Sequence, residues 1–130
     1  MYSLKNKRIF ISGAGAGIGF SVAKLACAAG ATVYAADIDS SGLKNLAAEG
    51  AKIDTLDVTK QLDVQNYFRN HEEFDGIVNM VGWVHHGTVT ETSIEDWRYS
   101  FLMNIDSMYF VLNASIPGLI RRGGGSIVNM

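Results

Sequence analysis

Four glycines fall within seven positions of Ser12-Gly13-Ala14-Gly15-Ala16-Gly17-Ile18-Gly19, between a short apolar run and a helical pattern. Glycines at such a junction let the backbone come close to a diphosphate, and the amides that open the following helix point at its negative charge. A merely tight strand-to-helix turn needs only one or two glycines, so the density favours an anion cradle. The spacing is not the common G-x-G-x-x-G, because Ile18 stands where the third glycine counted from Gly13 would fall. Asp37 follows Gly17 by 20 residues and closes a second apolar run. A carboxylate there can accept hydrogen bonds from both ribose hydroxyls of an adenosine and would repel a 2′-phosphate. The residues after it, Ile38-Asp39-Ser40-Ser41, bring no Lys or Arg to reverse that preference, which favours NAD over NADP. Capping the next helix is the other role open to Asp37. Asp57 has the same two readings: it can hold an adenine amino group, or cap a helix that begins after Thr59.

These residues need elements to place them. Arg8–Ser12 reads as a strand, and Ile18, Val22, Leu25, Ala26 and Ala29 then recur at helical spacing as far as Gly30. Thr32 to Ala36 reads as a second strand, after which Ser40 or Ser41 can cap a short helix carrying Leu43, Leu46 and Ala47. Lys52 to Leu56 reads as a third strand ending at Asp57, followed by a helix with Val64, Tyr67 and Phe68 on one face, and Phe74 to Asn79 as a fourth strand. After the loop Met80 to Thr92, Ser93 with Asp96 three residues on can open a long helix through Trp97, Phe101, Ile105, Met108 and Leu112, kinked at Pro117 and ended by Gly123-Gly124-Gly125. Ser126 to Met130 reads as a fifth strand. Strands alternating with helices imply parallel pairing through right-handed crossovers: an α/β fold, a Rossmann-type doubly wound parallel sheet carried only to its fifth strand, in one domain over residues 1–130.

Composition closes off other classes. A chain of 130 residues that is 48% hydrophobic and 18% charged can build one core. A net charge of −2 supplies no basic field, so nucleic acid is not the expected partner. The single cysteine, Cys27, forms no intramolecular disulfide and no multi-cysteine metal site, and no metal site is expected. Lys5, Lys7 and Arg8 ahead of an apolar run superficially resemble a signal peptide, but four glycines suit such a helix poorly. Lys24 also interrupts the run before the ~18 apolar residues a membrane span needs. The expectation is a cytoplasmic protein without membrane partners.

Taken together these residues resemble the short-chain dehydrogenase/reductase family. Its cofactor motif, Thr or Ser and then Gly-x-x-x-Gly-x-Gly, is met by Ser12, Gly13, Gly17, Ile18 and Gly19, which accounts for the glycine spacing. Further matches are Asp57-Val58, the cluster Asn79 to Gly82, Asn104 in the long helix, and Gly125-Ser126-Ile127-Val128-Asn129. The family's usual Asn-Asn-Ala-Gly is kept here only at its ends, Asn79 and Gly82, with Met80 and Val81 between them. The segment Val84-His85-His86-Gly87-Thr88-Val89 looks most like the branch of cytosolic type 2 hydroxybutyrate dehydrogenases and bacterial deoxy-sugar-acid dehydrogenases. His85 and His86 read either as solvated loop residues or as one histidine lining a substrate pocket. Trp83 and Trp97 read as packing residues.

The resemblance implies hydride transfer between NAD and a secondary alcohol or ketone such as a hydroxy acid, in a homodimer or homotetramer assembled in part through the long helix. It also implies a serine, a tyrosine and a lysine four residues after that tyrosine, all beyond the fifth strand. No Tyr-x-x-x-Lys occurs at Tyr2, Tyr34, Tyr67, Tyr99 or Tyr109. Of the family's catalytic four only Asn104 is present, where the family uses its backbone carbonyl to hold a proton-relay water; an asparagine at a helix irregularity is the alternative. Residues 1–130 alone are therefore expected to be catalytically inactive, since losing proton transfer removes a factor of about 10²–10⁴. Phe101, Met108, Phe110 and Leu112 are expected to lack a covering neighbour. Two other readings stand beside this one: a non-catalytic dinucleotide-binding module, and an S-adenosylmethionine-dependent methyltransferase. The second usually has a carboxylate before the first glycine, where Ile11 and Ser12 stand.

Overall fold

The computed structural model describes residues 2–71 and 73–130. Among them five parallel strands form one sheet in the order β3-β2-β1-β4-β5. The strands are β1 (Arg8–Ser12), β2 (Thr32–Asp37), β3 (Lys52–Thr55), β4 (Gly76–Asn79) and β5 (Ser126–Asn129). The helices are α1 (Gly17–Ala28), α2 (Ser40–Ala48), α3 (Gln61–Arg69), α4 (Ile94–Phe101) and α5 (Ser107–Arg121), with a π turn, Leu102–Asp106, joining the last two.

Alternation along β1 explains the layers. Phe10 and Ile11 are both fully buried but point to opposite faces. Phe10 meets Tyr67, Phe68 and Phe74, in a core shared with Val64 of α3 and Val111 and Leu119 of α5. Ile11 joins Val33, Ala35, Ala23, Leu43 and Leu46, in a core under α1 and α2. A sheet covered on both faces needs runs of apolar residues rather than strict alternation, which is what β1 and β2 carry.

Several details differ from the sequence reading. The buried face of α1 is Gly19, Ala23 and Ala26, with Phe20 and Val22 half-buried against the same core, whereas Ile18 and Leu25 are exposed. Asp39, not Ser40 or Ser41, caps α2: its carboxylate accepts the Ser41 N–H at 2.9 Å. Strand β4 starts at Gly76 and β3 ends at Thr55, while Phe74 and Leu56 flank them as buried residues. Ser93 does cap α4, its Oγ accepting the Asp96 N–H at 3.0 Å. The helix that follows runs through Pro117 and is interrupted instead at the π turn. That wider turn shifts the phase of every residue after it. Phe110 consequently packs against the core and Met108 and Leu112 are half-buried, and the exposed stripe is Trp97, Phe101, Ile105, Tyr109, Ile116 and Ile120.

Register brings the carboxyl ends of the strands to one edge. Ser12 pairs with Ala36, Asp37 with Thr55, and Asn79 with Asn129. The chain reverses its direction of winding between β1 and β4, and in an open α/β sheet the ligand crevice opens outside the strand ends at that point.

Candidate functional site

The glycine-rich turn fills the crevice between β1 and β4. Gly13 has φ +65° and Gly17 φ +57°, left-handed values that L side chains rarely adopt. Gly13 also touches the chain after β4: a Cβ on it would lie 3.0 Å from the Met80 carbonyl carbon and 3.1 Å from the Val81 nitrogen. Gly19 is needed for space, since a Cβ there would run into the Gly13 carbonyl oxygen. Ser12, buried, accepts the Met80 N–H on its Oγ at 3.2 Å and so ties the turn to the end of β4. Met80 and Val81 thus preserve the approach to Gly13 by packing into the two cores, Met80 on one face and Val81 on the other. The N-terminus of α1 has Ala16 at the cap, no side-chain cap and no acidic residue in its first turn. Its amides are left open to a negatively charged group.

At the end of β2 the Asp37 carboxylate accepts the Gly15 N–H on Oδ2 at 2.9 Å and the Asp39 N–H on Oδ1 at 2.9 Å. It therefore holds the turn, while the helix cap falls to Asp39. Asp57 accepts both the Thr59 N–H, at 3.0 Å, and the Thr59 hydroxyl, at 2.6 Å, and shapes the chain entering α3. A cleft of about 380 Å³ runs from Gly13 and Asp37 past Asp57 and Val58 to Gly82, with Tyr99 and Met103 on its far wall. The buried Val58 forms an apolar side of this cleft. Ile18 lies on the exposed side of α1 and does not line it. Asn79 is buried at the strand ends, where its Nδ2 donates to Asn129 Oδ1 at 2.8 Å and its own Oδ1 has no partner among the described residues.

Asn104 lies in the π turn. Its Nδ2 donates to the carbonyls of Trp83, at 2.7 Å, and Ser100, at 2.8 Å, and its Oδ1 accepts the Trp83 N–H at 3.0 Å. Gly82 is packed against it, since a Cβ would lie 2.9 Å from that Oδ1. Of the two histidines, His86 is exposed, whereas the His85 ring sits 3.7 Å from the Asp96 carboxylate through Nδ1 and tilts on Trp83. His85, but not His86, borders a separate hollow over α4, lined also by Trp97 and Val89. Trp83 packs edge-on against Tyr99, and Trp97 packs at a tilt against Phe101. Among the described residues no group of three or more His, Cys, Asp or Glu is arranged to hold a metal ion, and no helix is long and apolar enough to cross a membrane.

The sequence reading missed the cleft wall of Leu56, Tyr99 and Met103, and missed Gly42 of α2, which packs against the Gly15 carbonyl. A glycine in the first turn of a helix, where alanine would be the better helix former, was the one available signal for Gly42.

Cradle, acid-ended second strand and crevice lie together at the carboxyl ends of the strands of an α/β domain. A family model described as Enoyl-(Acyl carrier protein) reductase matches residues 13–130. The chain is 46% identical to the 2-keto-3-deoxy-L-fuconate dehydrogenase of Xanthomonas campestris, over 98% of this chain and 43% of that protein. It is 35% identical to dehydrogenase/reductase SDR family member 6 of Xenopus laevis, over 100% of this chain and 54% of that protein. The solved structure of a short-chain type dehydrogenase/reductase from Mycobacterium ulcerans superposes with a TM-score of 0.88 at 25% identity, covering 98% of this chain and 51% of that one. The chain belongs to the short-chain dehydrogenase/reductase family, and it spans about half the length of the curated relatives it matches.

Proposed function

We propose that residues 1–130 bind NAD and form the cofactor half of an oxidoreductase that acts on a secondary alcohol or ketone such as a hydroxy acid. The observation that carries this reading is the Asp37 carboxylate at the mouth of a glycine cradle whose helix end has no side-chain cap. The residues suit the group. Gly13, Gly17 and Gly19, with the α1 amides, take the diphosphate, and Ser12 fixes their turn. Asp37 takes the adenosine ribose, and Asp57 and Val58 border the adenine. Asn79 and Gly82 shape the chain toward the nicotinamide end, and Ile18 is carried as part of the motif. When bound, the nicotinamide supplies hydride transfer; the chain supplies binding and orientation.

Asn104 is the one catalytic position of the family found in this stretch. Its side chain is spent on the Trp83 backbone, and the role the family gives this position, holding a relay water, belongs to the backbone carbonyl. Residues 1–130 alone do not catalyse in this reading, because general acid chemistry needs the tyrosine and lysine that they lack. The hydroxy-acid class rests on the likeness to the 2-keto-3-deoxy-L-fuconate dehydrogenase of Xanthomonas campestris and on the Val84–Val89 segment. A homodimer or homotetramer joined through the exposed stripe from Trp97 to Ile120, in a reducing cytoplasm that suits the free Cys27, completes the proposal. Isothermal calorimetry of the chain with NADH tests it. Saturable heat that ADP-ribose competes away supports the cradle; a folded sample giving no heat overturns it.

A further inference from the structure

Gly15 and Gly42 do not have the left-handed φ that requires glycine, so what glycine provides at both is space. A Cβ on Gly15 would lie 2.9 Å from Asp37 Cγ and 3.0 Å from its Oδ2. A Cβ on Gly42, in the first turn of α2, would run into the Gly15 carbonyl oxygen and lie 3.0 Å from the Gly15 Cα. The Gly15 peptide is therefore gripped from two sides: its N–H by the Asp37 carboxylate, its carbonyl side by α2. The other Asp37 oxygen is held by the Asp39 N–H, from the residue that caps the same helix. Both oxygens of the carboxylate are thus fixed before any nucleotide arrives, one by the turn and one by the entry to α2.

We propose that Gly42 is a positioning residue for cofactor choice: by letting α2 seat against Gly15, it locks the Asp37 carboxylate at the ribose end of the cleft, where it cannot swing aside for a 2′-phosphate. The inference rests on the reading of Asp37 as the ribose acceptor. A carboxylate pinned by two backbone donors repels a phosphate more effectively than a free one, because rotating away would leave both donors unpaired. Selectivity then depends on a helix that does not itself line the cleft.

The test is Gly42→Ala in the 130-residue chain, titrated with NADH and with NADPH by nicotinamide fluorescence. The expected result is NADH binding weakened by roughly tenfold, the scale of one charge-assisted hydrogen bond, and a smaller ratio of NADH to NADPH affinity. A change in folding alone would weaken both nucleotides by the same factor and leave the ratio where it was, which would overturn the proposal. If the unsubstituted chain binds both nucleotides equally, the ribose reading of Asp37 fails and takes this inference with it. If the unsubstituted chain prefers NADH and Gly42→Ala keeps the full preference, only the inference fails. Should the variant not fold, NMR of the unsubstituted chain and of Asp37→Ala decides: a Gly15 amide resonance displaced by loss of the carboxylate, with an Overhauser contact from Gly42 Hα to Gly15 Hα in the unsubstituted chain, supports the clamp, and absence of either overturns it.

Discussion

Asn104 and Trp83 pair as two strand residues would: the Asn104 amide donates to the Trp83 carbonyl at 2.7 Å and accepts the Trp83 N–H at 3.0 Å. A side chain thus stands in for a missing neighbour strand beyond the end of β4, and the π turn is what places it there. Ser107 N–H reaches back five residues to Leu102, a spacing that lets the intervening residues bulge toward the loop.

Replacing Asn104 by Leu removes both partners of a partly buried peptide. The expected loss is about 1–3 kcal/mol, the cost of leaving buried backbone groups unpaired, read from the urea midpoint. Trp83 fluorescence should shift at the same time. An unchanged midpoint and spectrum would contradict this role.

Gly19→Ala tests the approach of α1 to the cradle. The added methyl meets the Gly13 carbonyl, and overpacking of this kind costs about 1–3 kcal/mol. Ile18→Ala should cost far less, since Ile18 is exposed. Thermal unfolding of the two variants should rank them in that order.

At the opposite edge of the sheet, Asp75 accepts the Arg8 N–H at 2.8 Å and pairs with Arg122 at 2.8 Å. Burial pushes its carboxyl up, but the Arg8 N–H, the Arg122 guanidinium and Lys7 outweigh that and hold it below the ordinary 3.8. A folded-state value below the unfolded one contributes stability above pH 3.8 that is lost as pH falls through the lower, folded value. Asp75→Asn should therefore be less stable than the parent at pH 7, with the gap closing in that acid window. A gap that is constant with pH would contradict the linkage.

The outer stripe of α4 and α5 predicts self-association. Ile105 and Tyr109 are 48% and 55% exposed, in a row of apolar residues with no cover among the described residues. Ile105→Glu should lower the mass seen in sedimentation without lowering the melting temperature of the monomer. An unchanged mass distribution would remove the stripe from the interface.

The sequence was informative wherever local chemistry decides. Positive φ at Gly13 and Gly17, the Ser93 cap and the apolar runs of β1 and β2 are all consequences of residue type. Helix faces were less legible. Leu25 looks like a core residue by its spacing, yet the face of α1 turned to the sheet carries Gly19, Ala23 and Ala26, with Phe20 and Val22 half-buried beside them, and Leu25 falls outside it. The phase of α5 was misread for a similar reason, because nothing in Leu102–Asp106 announces a π turn except an asparagine in mid-helix. Gly42 escaped notice because its function lies in a contact with Gly15, 27 residues earlier, that no periodicity records.

The most direct test of the account is the affinity of the chain for NADH and NADPH, followed by nicotinamide fluorescence, before and after Asp37→Ala. The expected result is tighter binding of NADH by the parent chain, with that preference lost in the variant. Equal binding of the two nucleotides by the parent, or a preference that survives removal of the carboxylate, would contradict it.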